Sequence, residues 1–213
     1  MKRQGSYDTI DATSGHIVIG LTGGTGSGKS EAAKILKTLG AAVIDADAVS
    51  REVVERRDVQ AELVGEFGAW VVDEHGRFNR SQVSKKAFSD KIFLERLTKI
   101  THKYIIKAIG KLLDDLKARA DCKIIVIDAP IPVKHGFLDI SDFVWVLDSP
   151  REQRRKRIIE RDGLGPEDAD ARLMAQMPDG EYKKLADALI DNSGGLDALE
   201  REIGRLYAQV MNG

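Results

Sequence analysis

The sequence predicts an α/β fold built on a five-stranded parallel sheet, and three observations carry that prediction. Five short apolar runs read as buried strands: Ile17–Leu21, Ala41–Ile44, Ile124–Ile127, Phe143–Leu147 and a weaker Ala188–Ile190. Helical patterns separate them, the order expected of βαβ units with helices on both faces of the sheet. Between the first run and the first helical pattern stands Gly23-Gly24-Thr25-Gly26-Ser27-Gly28-Lys29-Ser30, a full G-x-x-x-x-G-K-[ST] motif.

Taken in order, residues 1–15 are polar and lack the apolar core of a signal peptide, so they read as a flexible extension before a domain spanning 16–213. After the first strand, the glycines let backbone N–H groups turn inward around phosphate oxygens, and the following helix N-terminus adds partial positive charge. Lys29 suits the β- and γ-phosphates and the Ser30 hydroxyl suits Mg²⁺. A glycine-rich turn without a ligand is the alternative, but the flanking strand and helix favour nucleotide binding. Asp45-Ala46-Asp47 follows the second strand. Either carboxylate could serve as a base or Mg²⁺ partner, or could simply cap a helix.

The next crossover, from Asp47 to Lys123, is far longer than one helix needs, which implies an inserted helical subdomain. Within it, Leu94, Leu97, Ile105, Ile109, Leu112 and Leu116 recur at helical spacing over Asp90–Arg119. His102, alone among these apolar residues, reads as structural. Asp128 ends the third strand, where a carboxylate helps hold Mg²⁺ in phosphate-loop proteins or caps a turn before Pro130. The stretch Pro150–Arg161 begins with a helix-compatible proline and is strongly basic. Its Arg154, Arg157 and Arg161 share one face, fit either to clamp phosphates or to form a solvated basic surface. The pattern by itself favours the solvated surface. Pro166 begins a further short helix, and Gly194-Gly195 precedes the last, Leu196–Val210. Ligands of parallel sheets bind beyond the carboxyl ends of the strands, so the loop, Asp45/Asp47 and Asp128 are expected to converge there.

Composition narrows the classes. A net charge of −1 gives no bulk attraction to nucleic acid or membranes. The single Cys122 excludes an intrachain disulfide and reads as a small, partly buried residue. No Cys/His metal cluster is visible, and no apolar run approaches the ~18 residues of a membrane span. A cytoplasmic protein is expected, as a monomer or at most a weak oligomer. An Asn-Lys-x-Asp guanine motif is absent after the fourth strand, where the chain reads Val146-Leu147-Asp148-Ser149.

Beyond the phosphate loop, Val43-Ile44-Asp45-Ala46-Asp47 with Arg51-Glu52-Val53-Val54, Phe67-Gly68, Phe78-Asn79-Arg80, Arg157-Ile158-Ile159-Glu160-Arg161-Asp162, Ala171-Arg172 with Gln176, and Ala186-Asp187 with Ile190-Asp191-Asn192-Ser193-Gly194 follow in order. This ordered set, covering most of the chain from Ile17, resembles the dephospho-coenzyme A kinases. The loop is generic; the Asp-Ala-Asp and Asp-Asn-Ser-Gly motifs are more specific. The resemblance implies a three-layer P-loop kinase core (16–50, 121–150 and 178–213), a helical substrate-binding insertion (about 51–120) and a helical, mobile lid (about 151–177). It implies ATP-dependent phosphorylation of the 3′-hydroxyl of dephospho-coenzyme A, with Mg²⁺ held by Ser30 and Asp128. Asp47 is then the base, Lys29 neutralises charge on the transferred group, and Arg161 joins them on lid closure. The nucleotide would meet Gly24, Thr25, Gly26, Ser27, Gly28, Lys29, Ser30, Glu31, Arg157 and, near the adenine, Asn192. The acceptor would meet Thr22, Asp47, Arg51, His102, Asp128 and Pro130.

Four departures from the family pattern stand out. Glu31 replaces a usual Thr and brings negative charge near the phosphates. His102-Lys103 replaces His-Pro, removing a helix-start signal. Ala129-Pro130-Ile131-Pro132-Val133-Lys134 differs where a carboxylate is expected, and Met177-Pro178-Asp179-Gly180 forms an unusual turn. These also fit a related kinase with another acceptor, or a non-catalytic nucleotide-binding accessory protein.

Overall fold

The computed structural model describes residues 15–119, 121–129 and 140–212. The extension through Ser14, Pro130, and the departure from Ile131 to Lys134 lie outside them. The described chain forms two compact units, one of residues 1–44 and 115–213 and the other Asp45–Asp114.

In the first unit, β1 (Ile17–Gly23), β2 (Ala42–Asp45), β3 (Ile124–Asp128), β4 (Phe143–Asp148) and β5 (Ala188–Asp191) form one all-parallel sheet in the order β2-β3-β1-β4-β5. The apolar runs become strands because β-branched residues such as Ile124-Ile125-Val126-Ile127 are buried on both faces of a covered sheet. Register runs from Ile17↔Ile124 to Leu21↔Asp128 and from Ile19↔Phe143 to Gly23↔Leu147. It places Asp128 beside the end of β1, where the glycine loop begins. The last residue of each strand from β2 to β5 is an aspartate.

Helices α1 (Lys29–Thr38) and α9 (Leu196–Asn212) cover one sheet face. Ile19, Leu21, Val126, Trp145 and Leu147 form a single core there with Leu36, Ile203, Leu206 and Val210. Each such side chain, fully buried, contributes roughly 1.5–3 kcal/mol, so this layer anchors the loop at both of its ends. Alternate residues of β4, Val144 and Val146, face the other way and pack on Tyr182 of α8 (Asp179–Leu185). Between these lie α6 (Arg151–Asp162) and α7 (Pro166–Met174), which share a small core of Ile158, Ala169 and Leu173.

The second unit holds α2 (Ala46–Val53), α3 (Arg57–Phe67), a 3₁₀ turn (Ala69–Val71), α4 (Arg80–Ser89) and α5 (Lys91–Lys117), whose last residues pass back into the first unit. Phe93 lies 4.5 Å from Phe67 and 5.6 Å from Trp70, ring to ring. Glu55 accepts the Phe78 N–H at 3.0 Å and an Arg80 N–H at 3.1 Å, tying the chain after the turn to α2's end.

One detail of α5 corrects the sequence expectation, whereas its extent matches the helical pattern read over Asp90–Arg119. Its buried stripe is Phe93, Thr101, Ile105, Ile109 and Leu113. Leu94 and Leu112, expected inside, are 44% and 41% exposed because they lie one residue, about 100°, off that stripe. The helix also runs unbroken through Lys103. A proline there would remove an intrahelical N–H and clash with the preceding turn. Lys103 instead reaches both carboxylate oxygens of Glu62 on α3, at 2.5 and 2.6 Å, and the Tyr104 hydroxyl donates to the same carboxylate at 2.6 Å.

Candidate active site

The glycine loop leaves β1 at Gly23 and enters α1 at Gly28, whose φ of 102° is left-handed. Any Cβ at Gly28 would also lie 2.1 Å from the Asn192 side-chain nitrogen, so both backbone and space demand glycine. Three consecutive loop carbonyls are held from outside. Arg154 Nε donates to Thr25 O at 3.0 Å, Arg157 to Gly26 O at 3.1 Å, and the Asn192 amide to Ser27 O at 2.8 Å. A trans peptide points its C=O and the following N–H in opposite directions. Holding these carbonyls therefore turns the N–H groups of Gly26 and Gly28 to the other side, as an anion-binding nest requires. The Ser27 N–H closes a turn onto Gly24 O at 3.1 Å.

At the carboxyl ends of β1 and β3, Lys29 Nζ donates to Asp128 Oδ1 at 2.8 Å, with side chains only 16% and 14% exposed. A pair this sheltered interacts more strongly than a surface pair and ties the start of α1 to the end of β3. Ser30 sits exposed on the first turn of α1. Thr22 Oγ1 and Ser27 Oγ are buried with no hydrogen-bond partner, which leaves two hydroxyls beside the loop. Glu31 turns along α1 to Lys34 at 2.9 Å, on a solvent-facing pair that offsets its charge.

The arginine stripe divides. Its expected character as a solvated face holds for Arg161 alone, which is exposed and bidentate on Asp162 at 2.7 and 2.8 Å; Arg172 bonds the same carboxylate. Arg157 is half-buried and also donates to Ser149 Oγ and to Asn192 O. Arg154 is buried against the loop. The reason is tertiary: the loop's outward carbonyls supply acceptors that a helical wheel does not show. Sequence reasoning left out Arg154, Gln176 and Asp179 as site residues. The Pro178-Asp179 turn was the available signal, since Pro178 stands at the N-cap of α8 and Asp179 is its first residue.

Asp45 fills the capping role, its Oδ1 accepting the Ala48 N–H at 2.9 Å, with Arg51 3.9 Å away. Asp47 is exposed in the first turn of α2, between the buried Ala46 and Val49. His102 is partly buried on α5, and desolvation lowers its pKa below the ordinary 6.5, which favours the neutral imidazole. The first unit thus assembles residues 24–30 with Asp128, Arg157 and Asn192. Asp47, Arg51 and His102 belong to the second unit.

No group of three or more His, Cys, Asp or Glu side chains placed to hold a metal occurs among the described residues. That does not disqualify Mg²⁺, which typically takes one or two protein oxygens together with water and substrate phosphates. A hydroxyl on the first turn of α1 and a strand-end carboxylate fit that donor set. Among the described residues, no helix is long and apolar enough to cross a membrane.

Comparison with known proteins places the chain among relatives by sequence and fold. The dephospho-CoA kinase family model, CoaE, matches residues 17–198. A dephospho-CoA kinase of Corynebacterium diphtheriae is 40% identical over 89% of this chain and 95% of its own. One from Carboxydothermus hydrogenoformans is 36% identical over 87% and 90%. Among solved structures, TT1252 from Thermus thermophilus superposes with a TM-score of 0.77 at 30% identity, covering 91% of this chain and 97% of its own. A Campylobacter jejuni dephospho-CoA kinase shares the fold at TM-score 0.70 and 24% identity, over 92% and 98%.

Proposed function

The chain belongs to the dephospho-CoA kinase family, and from that premise we propose that it transfers the γ-phosphoryl group of ATP to the ribose 3′-hydroxyl of dephospho-coenzyme A. The observation that carries this reading is the loop with its three carbonyls held outward and Lys29 fixed on Asp128. Phosphoryl transfer needs positioning and charge stabilisation more than covalent chemistry from the protein.

In this reading the loop N–H groups and Lys29 orient the β- and γ-phosphates, and Lys29 offsets charge that grows on the transferred group. Asp47 accepts the proton of the attacking hydroxyl; its exposed carboxylate in the first turn of α2 supports that role. The acceptor side takes Thr22, Arg51, His102, Asp128 and Pro130. The neutral imidazole of His102 suits hydrogen bonding rather than charge pairing. Residues 151–177 act as the lid and bring Arg161 to the nucleotide, excluding water that would otherwise hydrolyse ATP. For this, Arg161 must exchange its Asp162 partner for phosphate. Asn192 serves the loop and lies near the adenine. Ser30 and Asp128 are the residues that would hold Mg²⁺, which would supply positive charge to offset that of the phosphates. The reading includes a cytoplasmic, monomeric enzyme without nucleic-acid or membrane partners, in keeping with the net charge of −1.

The test is steady-state kinetics with MgATP and a panel of acceptors: dephospho-coenzyme A, adenosine, AMP and shikimate. The expected result is a kcat/KM for dephospho-coenzyme A orders of magnitude above the others. A clear preference for another acceptor would redirect the assignment to a kinase of different specificity. Nucleotide binding without any transfer would favour an accessory protein.

A further inference from the structure

Arg154 is the only charged residue among the buried positions of the described chain, at 4% exposure. It lies on the first turn of α6, and its guanidinium meets three partners from two distant segments. Nε donates to Thr25 O at 3.0 Å, one terminal nitrogen to Asp179 Oδ1 at 2.5 Å, and the other to Gln176 Oε1 at 3.3 Å. The same Gln176 oxygen accepts the Thr25 N–H at 2.7 Å, and the Gln176 amide donates to the Thr25 hydroxyl. Thr25 therefore has its N–H, its C=O and its hydroxyl all held by this cluster. The fit against the loop is close. A Cβ at Gly24 would fall 2.2 Å from the Arg154 guanidinium, and one at Gly26 would fall 2.7 Å from the Arg154 carbonyl.

A buried cation persists only where it is paired and hydrogen-bonded. Asp179 supplies the countercharge from α8, which is itself anchored by buried Tyr182 against Val144 and Val146. The planar guanidinium fork is what allows one side chain to serve three acceptors in different directions; an ammonium on a flexible stem does not reproduce it. We propose that Arg154 is a positioning residue of the nucleotide site, and that with Asp179 and Gln176 it forms a clasp that sets the outer half of the phosphate loop. The clasp acts through the Thr25 peptide, so the geometry of loop N–H groups depends on a pair formed between α6 and the start of α8. It rests on the proposed reading that this loop binds the phosphates of ATP. The turn Met177-Pro178-Asp179-Gly180 then has a role, since it delivers the aspartate to the buried cation.

The test uses full-length Arg154→Lys and Asp179→Asn, with three readouts: KM for MgATP, KM for dephospho-coenzyme A, and MgADP affinity by calorimetry. Thermal midpoints are recorded alongside. The expected result for both variants is at least a tenfold loss of MgADP affinity and a matching rise in KM for MgATP. The KM for dephospho-coenzyme A should stay within twofold. Combining the two substitutions should cost little more than Arg154→Lys alone, since both open the same clasp. Nucleotide affinity within twofold of the parent in folded variants, even with a lowered thermal midpoint, overturns the proposal and leaves Arg154 a purely structural residue. If Arg154→Lys does not fold, Asp179→Asn decides alone by the same criterion, because its side chain is 49% exposed and its loss leaves the guanidinium two loop-side partners. Absence of coenzyme A formation by the parent would count against the proposed reaction, whereas the calorimetric comparison would still decide on the clasp.

Discussion

Lys29 and Asp128 show how one residue pair combines structure with chemistry. The ion pair joins the start of α1 to the end of β3 at 2.8 Å, in a place sheltered from solvent. Replacing Lys29 by Ala should leave the sheet and its core intact but remove the cation proposed to stabilise transferred charge. Loss of one preorganised donor of this kind lowers kcat by roughly 10²–10³-fold. Steady-state assays should show that fall, with a thermal midpoint close to the parent's. A large drop in the midpoint with an unchanged kcat in the folded fraction would make the pair structural instead. Lys29 was legible in the sequence because the phosphate-loop motif is local: eight residues carry their own turn geometry and electrostatics. Arg154 was not legible as a site residue. Its neighbours Arg151, Arg155 and Lys156 carry the same charge, and only the tertiary approach of Thr25 and Asp179 distinguishes it.

At the scale of elements, the five strands could be read directly, because a strand buried on both faces must be an unbroken apolar run. The face of α5 could not be read so well. Its apolar residues outnumber those the stripe can bury, and the choice of Phe93, Ile105, Ile109 and Leu113 over Leu94 and Leu112 is made by what packs against it. Lys103 lies inside that helix and ties it to α3 through Glu62. Lys103→Pro should therefore destabilise the protein by ~3 kcal/mol or more, read as a lowered urea midpoint. A change below about 1 kcal/mol would mean that α5 tolerates a break where the family usually has proline. The end of α6 offers a pH prediction. The Arg161 guanidinium, with Arg172 adding to it, holds the Asp162 carboxyl below its ordinary value of 3.8. A lowered folded-state pKa contributes stability that is present above the unfolded value and is lost as pH falls through the folded one. Parent and Asp162→Asn should thus differ in urea midpoint at neutral pH, and the difference should shrink as pH falls below the ordinary carboxylate value and through the lowered folded-state one. A difference that persists unchanged at low pH would show that Asp162 acts by packing rather than charge.

For the whole molecule, the division into a sheet-bearing unit and a helical unit of Asp45–Asp114 matches the division of labour that phosphoryl transfer needs. In the proposed function the first holds the donor, and the second contributes Asp47, Arg51 and His102. The long crossover announced the helical unit, because no compact domain leaves more than seventy residues between adjacent strands without structure of their own. The residues proposed for the acceptor rest on the family resemblance, because single positions scattered over separate segments carry no local motif of their own. The proposed function makes Asp47 the base for transfer from a nucleotide that the loop binds. The most direct measurement is the rate of coenzyme A formation from MgATP and dephospho-coenzyme A by the parent and by Asp47→Asn. The account predicts turnover by the parent and a loss of roughly 10²–10⁴-fold in kcat for Asp47→Asn, with MgATP affinity retained. Equal rates for the two proteins, or no product from a parent that binds MgATP, would contradict it.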